Sequence, residues 1–222
     1  MRAIALLGGP KEEWPHNLAT EIKEASKKGA LIMASDRGSL FLLELGIVPD
    51  VALGDYDSLT FDEREIVESK VKDMRYSNPI KDFTDSEMLF YAAFIDYRVD
   101  SLTVYGATGG RMDHFFVNMY AMLKAPFDRF KEKIKFIDKQ NIIHFFGKGK
   151  HILPYEADYK YLGIGTLTGA KNFSIKNARY DLQSIDLPVP TVYSSNEYLN
   201  RQAIEISCES GTLIVINSRD KK

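Results

Sequence analysis

Val51-Ala52-Leu53-Gly54-Asp55-Tyr56-Asp57-Ser58 runs from an apolar triplet through a glycine into two aspartates set one residue apart. Read as the end of a strand, Val51 to Leu53 delivers Asp55 and Asp57 to the loop beyond that strand's carboxyl end. Gly54 lets the backbone bend as it leaves the sheet. Open α/β sheets bind their ligands at that edge. Two carboxylates so close repel each other unless a positive charge lies between them. A hard divalent cation such as Mg²⁺ is the usual answer, and it commonly brings substrate phosphates with it. Alone, the stretch also reads as a turn, because Asp, Gly and Ser are ordinary turn residues and D-x-D is a weak motif.

The flanking sequence places that stretch in an alternating pattern. Residues 3–7 form a short apolar run closed by Gly8-Gly9-Pro10, a buried strand and its loop. Leu18, Ile22 and Ala25 share one face of a helix that ends near Gly29. Residues 30–34 are the second strand, Ser35 to Ser39 its loop, and residues 40–45 a short helix stopped by Gly46 and Pro49. Helices are expected over residues 61–71, 84–97 and 111–123, with a strand over residues 102–105. This alternation predicts a mainly parallel sheet with helices on both faces.

Around Ile134 the character changes. Residues 134–137, 142–146, 151–153, 161–164 and 173–175 are strand-length runs separated by glycine and proline. Residues 203–207 and 212–216 read as a final hairpin around Glu209-Ser210-Gly211, and no convincing helix follows Phe130. The expectation is an α/β catalytic domain over residues 1–135 and an all-β domain over residues 136–222.

Composition narrows the function. With 45% hydrophobic and 27% charged residues among 222, the chain reads as soluble and globular. A formal net charge of −2 gives no basic field for nucleic acid. The basic clusters at residues 131–135 and 148–150 read as solvated surface. The single Cys208 rules out an intramolecular disulfide and fits a reducing compartment. The N-terminus reads as a strand rather than a signal peptide, and no run is long enough to span a bilayer. The expected address is the cytoplasm, with no membrane partner.

Asp36 follows the second strand as Asp55 and Asp57 follow the third. Strands adjacent in sequence usually pair, so these acids should converge. Asp85 lies in Thr84-Asp85-Ser86-Glu87, a capping box with Thr84 at the N-cap. There it either only favours the helix dipole or also shares a metal. Gly106 to His114 joins a strand to a helix through a glycine-rich loop. Backbone N–H groups at such a helix start bind anions, and Arg111 can grip phosphate oxygens in a fork. No GK[ST] occurs, and no G-x-G-x-x-G follows the first strand. The four histidines lack zinc-like spacing, and His114 reads as a core or capping residue. Together these residues describe a Mg²⁺–polyphosphate site, serving nucleotide-dependent transfer or phosphohydrolysis.

The blocks Ser35-Asp36-Arg37-Gly38-Ser39, Gly54 to Ser58, Lys81-Asp82-Phe83-Thr84-Asp85-Ser86-Glu87 and Gly106 to His114 resemble the thiamine pyrophosphokinase family in order and spacing. Tyr193-Ser194-Ser195-Asn196-Glu197 looks like that family's S-N-E segment. The resemblance implies an α/β domain followed by a C-terminal β-sandwich that binds thiamine and takes part in dimerisation. It implies Mg²⁺-dependent pyrophosphoryl transfer from ATP to thiamine in a homodimer with active sites between subunits. By resemblance Asp36, Asp55, Asp57 and Asp85 are linked to the metal and substrates, with Asp55, Asp57 and Asp85 as the catalytic set. Lys81, Thr84, Arg111 and Asp113 fall near the nucleotide, and Ser195 and Asn196 on the thiamine segment. Some relatives place a tryptophan against thiamine. Here the only tryptophan is Trp14, so Tyr193 or Tyr198 would supply an aromatic face. The rival readings are a Mg²⁺-dependent nucleotide phosphohydrolase and a ligand-binding module without turnover.

Overall fold

The computed structural model describes residues 1–76 and 83–220. The chain divides into two units, Met1–Lys139 and Gln140–Lys222.

In the first unit six strands pair in parallel: β1 (Arg2–Leu6), β2 (Leu31–Ser35), β3 (Val51–Gly54), β4 (Asp73–Tyr76), β5 (Ser101–Tyr105) and β6 (Ile134–Ile137). Their order is β6-β5-β1-β2-β3-β4. The order reverses at β1, which lies between β2 and β5, and a crevice opens beyond the strand ends at such a reversal. Helices α1 (Leu18–Lys27), α2 (Arg37–Glu44), α3 (Phe61–Lys70), α4 (Asp85–Tyr91) and α5 (Met112–Ala121) flank the sheet. The central strands are apolar without alternation because helices cover both faces. On one face Leu18, Ile22 and Ala25 of α1 pack against Ile4, Leu6 and Ile32. In another cluster Leu40, Tyr56, Val67 and Val71 close over Ala52.

The structure departs from the sequence expectations in several places. The loop expected over residues 35–39 is already helical from Arg37. Gly38 is buried so tightly on β1 that a Cβ there would lie 2.1 Å from the Leu6 carbonyl oxygen, so its glycine marks helix–strand contact rather than a loop. β4 was not anticipated, because Asp73-Met74-Arg75-Tyr76 is an edge strand with little buried surface and no alternation to read. The helix expected over residues 84–97 is α-helical only to Tyr91 and continues as a π-helical turn, Ala92–Asp96. Residues 134–137, grouped by sequence with the all-β runs, form β6 and pair in parallel with β5. The first unit runs to Lys139, a few residues beyond β6.

The second unit holds eight strands: β7 (Asn141–Phe146), β8 (Gly149–Leu153), β9 (Tyr161–Thr166), β10 (Ala170–Lys176), β11 (Leu182–Leu187), β12 (Thr191–Glu197), β13 (Ile204–Cys208) and β14 (Leu213–Ser218). They form two antiparallel layers, β12-β9-β14-β7 and β11-β10-β13-β8. Leu162, Ile164, Leu213 and Val215 of one layer share a core with Phe173, Ile175, Ile204 and Ile206 of the other. That is a β-sandwich. The expected terminal hairpin does not form: β13 pairs with β8 and β10, whereas β14 pairs with β7 and β9. The Glu209–Gly211 link therefore crosses between layers. β11 and β12 are outer strands with many exposed residues, which hid them from the apolar pattern. Among the described residues no α-helix follows Phe130, and no helix is long and apolar enough to cross a membrane.

Candidate active site

Three of the acids singled out in the sequence meet at the crevice. One ligand oxygen from each of Asp36, Asp55 and Asp85 lies within 4.8 Å of the others, and all three side chains are half-buried. Each comes from a different segment: the end of β2, the end of β3 and the first position of α4.

The local folding of each segment explains the convergence. Asp36 takes a left-handed φ of 45° at the N-cap of α2, and its N–H extends the β2–β3 ladder to the Leu53 carbonyl at 3.0 Å. Its Oδ1 accepts the Tyr56 N–H at 3.2 Å. Tyr56 itself has φ 60° and is 2% exposed, its ring sunk among Leu40, Val67 and Val71. The buried ring thus anchors a turn that keeps Asp55 and Asp57 at the crevice. Asp85 starts α4, whose N-cap Thr84 accepts the Glu87 N–H at 3.4 Å, while the Glu87 carboxylate accepts the Thr84 N–H at 2.9 Å.

The electrostatics follow from the geometry. Burial, then the nearby Asp85 charge, pushes the Asp36 carboxyl from its ordinary 3.8 to about 7. Asp57 stays outside the three-acid group. It is exposed, donates its N–H to Asp55 Oδ1 at 3.0 Å, and has its carboxyl pushed up chiefly by the Asp55 charge. Three convergent hard oxygen donors suit a divalent cation such as Mg²⁺.

The cleft beside these acids has a volume of about 780 Å³. Its opposite wall is made by the loops after β1 and β5, the two strands at the reversal. The Gly9 N–H donates to the Gly106 carbonyl at 3.1 Å, and a Cβ on Gly9 would lie 2.4 Å from that oxygen. Asn118 Nδ2 donates to the Ala107 carbonyl at 3.2 Å and Thr108 Oγ1 to Asp138 Oδ2 at 2.8 Å, so the glycine-rich loop is pinned where it leaves β5. Arg111 caps α5 at the cleft wall. Its fork meets Asp113 through Nε at 3.1 Å and Nη2 at 2.5 Å, with both side chains exposed. Asp113 thus serves here as the aiming partner of Arg111.

Other singled-out residues are placed as follows. Lys81 lies outside the described residues. Thr84 lines the cleft with its hydroxyl committed to the Glu87 cap. His114 is exposed at the cleft wall rather than in a core. Ser195 is exposed in β12, with φ 61° inside a register shift between Tyr193 and Asn196. Such a bulge re-aims side chains. Asn196 is 2% exposed and clasps Tyr180, accepting its N–H at 3.0 Å and donating to its carbonyl at 2.9 Å. Its side chain is therefore part of the scaffold beneath Ser195. Tyr193 stacks on Phe173 and Tyr198 packs edge-on against Tyr155, both half-buried. Trp14 is engaged elsewhere, with Nε1 donating to the Gly9 carbonyl at 3.3 Å.

Arg37, which carries no role in its sequence motif, is a functional candidate that the structure adds. Its guanidinium lines the cleft and ties α2 to Glu63 of α3 at 3.2 and 3.3 Å and to the Ser58 carbonyl. The capping pair Thr60 and Glu63 was the available signal, since an acid fixed at a helix start invites a basic partner.

Comparison with known proteins agrees with this geometry. Residues 22–136 match the model of the thiamin pyrophosphokinase catalytic domain, and residues 150–213 that of the thiamin pyrophosphokinase vitamin B1 binding domain. The thiamine pyrophosphokinase of Bacillus subtilis (strain 168) is 31% identical over 230 positions, covering 99% of this chain and 100% of that one. The crystal structure of a thiamin pyrophosphokinase family protein from Enterococcus faecalis superposes with a TM-score of 0.90 at 32% identity, covering 100% of both chains. That of thiamin pyrophosphokinase from Geobacillus thermodenitrificans gives 0.83 at 26% identity, over 100% of this chain and 99% of the other. With both domain models matched in order along a chain of this fold, the protein belongs to the thiamin pyrophosphokinase family of enzymes.

Proposed function

We propose that the chain transfers the pyrophosphoryl group of ATP to the hydroxyl of thiamine, giving thiamine diphosphate and AMP. The observation that carries this reading is the meeting of Asp36, Asp55 and Asp85 at the sheet's reversal point, beside a glycine-rich loop and Arg111.

Asp36, Asp55 and Asp85 would hold Mg²⁺, which when bound supplies positive charge that offsets the phosphate oxygens. The Arg111 guanidinium, aimed by Asp113, grips phosphate oxygens and orients the chain for in-line attack. The thiamine hydroxyl oxygen bonds to the β-phosphorus, the bond from that phosphorus to the α–β bridging oxygen breaks, and AMP leaves with that oxygen. Asp57 takes the hydroxyl proton: its exposed carboxylate is made more basic by Asp55. Ser195, on the β12 bulge, contacts thiamine. The working unit is a homodimer in the cytoplasm with active sites between subunits, as the family resemblance implies; sedimentation of the purified chain tests the dimer.

Phosphorus NMR of the full chain with ATP and Mg²⁺, with and without thiamine, tests the reaction. AMP formed only with thiamine is the expected result. Phosphate release without an acceptor would instead assign a phosphohydrolase.

A further inference from the structure

Glu87 does more than a capping box requires. Its side chain is 1% exposed, at the third position of the helix that begins with Asp85. One carboxylate oxygen, Oε2, accepts the Thr84 N–H at 2.9 Å and the Thr84 hydroxyl at 3.1 Å. That oxygen alone completes the cap, and a neutral amide would do the same. The other oxygen, Oε1, pairs with the ammonium of Lys124. A buried carboxylate is costly unless paired, so the charge on Glu87 has a purpose beyond the cap.

Lys124 is held from the other side as well. Its carbonyl accepts the Phe127 N–H at 2.9 Å and the Asp128 N–H at 3.0 Å, which fixes the backbone in the turn after α5. The side chain remains 50% exposed and lines the same cleft as Asp36, Asp55 and Asp85. The contact with Glu87 Oε1 is an ion pair, and the ammonium carries three N–H donors. Among the described residues of the cleft wall, Arg37 spends its fork on Glu63 and Ser58, whereas Arg111, aimed by Asp113, stands at the exposed rim.

We propose that Lys124 contacts the polyphosphate of the nucleotide, and that Glu87 is its positioning residue, tying it to the helix that carries Asp85. This rests on the pyrophosphoryl-transfer reading of the cleft and names a further phosphate contact for it. Because Glu87 sits on the same helical turn as Asp85, the cation and the metal-side carboxylate are held in one rigid arrangement.

The full chain, with inorganic tripolyphosphate and Mg²⁺ as the probe, tests the contact by calorimetry without requiring thiamine turnover. Lys124→Met should weaken binding about tenfold, the loss of one charge-assisted hydrogen bond. It should raise KM for ATP by a similar factor and leave KM for thiamine unchanged. Lys124→Arg should recover most of the loss. Glu87→Gln, which keeps the cap, should shift KM for ATP in the same direction but less. Tripolyphosphate binding and KM for ATP within twofold of wild type in Lys124→Met would overturn the proposal, whatever its melting temperature. Wild-type AMP formation with thiamine is the separate control on the underlying reading.

Discussion

A Cβ placed on Gly54 would lie 2.0 Å from Oδ1 of Asp36, at a backbone φ of 150°. Gly54 is therefore the space into which the Asp36 carboxylate fits, as well as the bend out of β3. Gly54→Ala should displace Asp36 and lose most activity. Strain and overpacking together should cost about 1–3 kcal/mol of stability. Denaturant unfolding and Mg²⁺ titration of the variant check both effects. Retained wild-type Mg²⁺ affinity would mean that Asp36 has not moved.

Asp36 makes the metal-free protein sensitive to pH in a direction opposite to ordinary acid denaturation. Its carboxyl titrates near 7 in the folded chain against 3.8 ordinarily. Between those values the native state holds a proton that the unfolded state has released. Stability contributed by this group therefore falls as pH rises through the window, on the order of a few kcal/mol in all. The metal-free chain should melt higher at pH 5.5 than at pH 8, and Asp36→Asn should remove much of that difference while abolishing activity. Added Mg²⁺ should raise the wild-type melting temperature at pH 8 and leave the variant's nearly unchanged.

The two acids of the opening stretch should separate by phenotype. Asp55 lies in the three-acid group and Asp57 outside it. Asp55→Asn or Asp85→Asn should weaken Mg²⁺ binding, whereas Asp57→Asn should keep it and lower kcat by about 10²–10⁴ as for a lost proton acceptor. Calorimetric Mg²⁺ titration beside steady-state kinetics distinguishes them. The reverse pattern would put Asp57 on the metal.

Asp113 pairs with the Arg111 fork, so in the proposed reading it aims that guanidinium. Both groups are exposed, so breaking the pair should leave the melting temperature unchanged. Arg111→Lys should raise KM for ATP because a point charge cannot reproduce the fork. Asp113→Asn should raise it less. Equal effects of the two substitutions would give Asp113 a direct role in binding.

Asp36, Asp55 and Asp57 were legible because they follow apolar runs, and a parallel sheet brings successive strand ends together; Asp85 was legible from its capping box. Which of them meet was not legible. The choice depends on two left-handed residues, Asp36 and Tyr56, that no hydrophobic pattern announces. Glu87 read as a cap and nothing more, since burial is invisible at a helix start. In the second unit the core strands β7, β9, β10, β13 and β14 carry buried apolar residues and were found. The outer strands β11 and β12 carry exposed ones and were not. The link after β13 looked like a hairpin because turn residues signal a reversal without saying which layer receives the next strand.

Asn196 illustrates the same limit and gives the sharpest test in the second unit. Sequence resemblance ties it to thiamine together with Ser195, yet its amide is spent on Tyr180 and on the Glu197 N–H at 2.9 Å. Asn196→Ala should leave those backbone groups unsatisfied and destabilise the protein by about 2–3 kcal/mol. Ser195→Ala removes only an exposed hydroxyl and should raise KM for thiamine without lowering the melting temperature. Asn196→Asp keeps an acceptor for Tyr180 N–H but loses the donor to its carbonyl, so its stability should fall between wild type and Asn196→Ala. A wild-type melting temperature in Asn196→Ala combined with a large rise in KM for thiamine would assign Asn196 to the substrate, and the Tyr180 clasp would then be incidental.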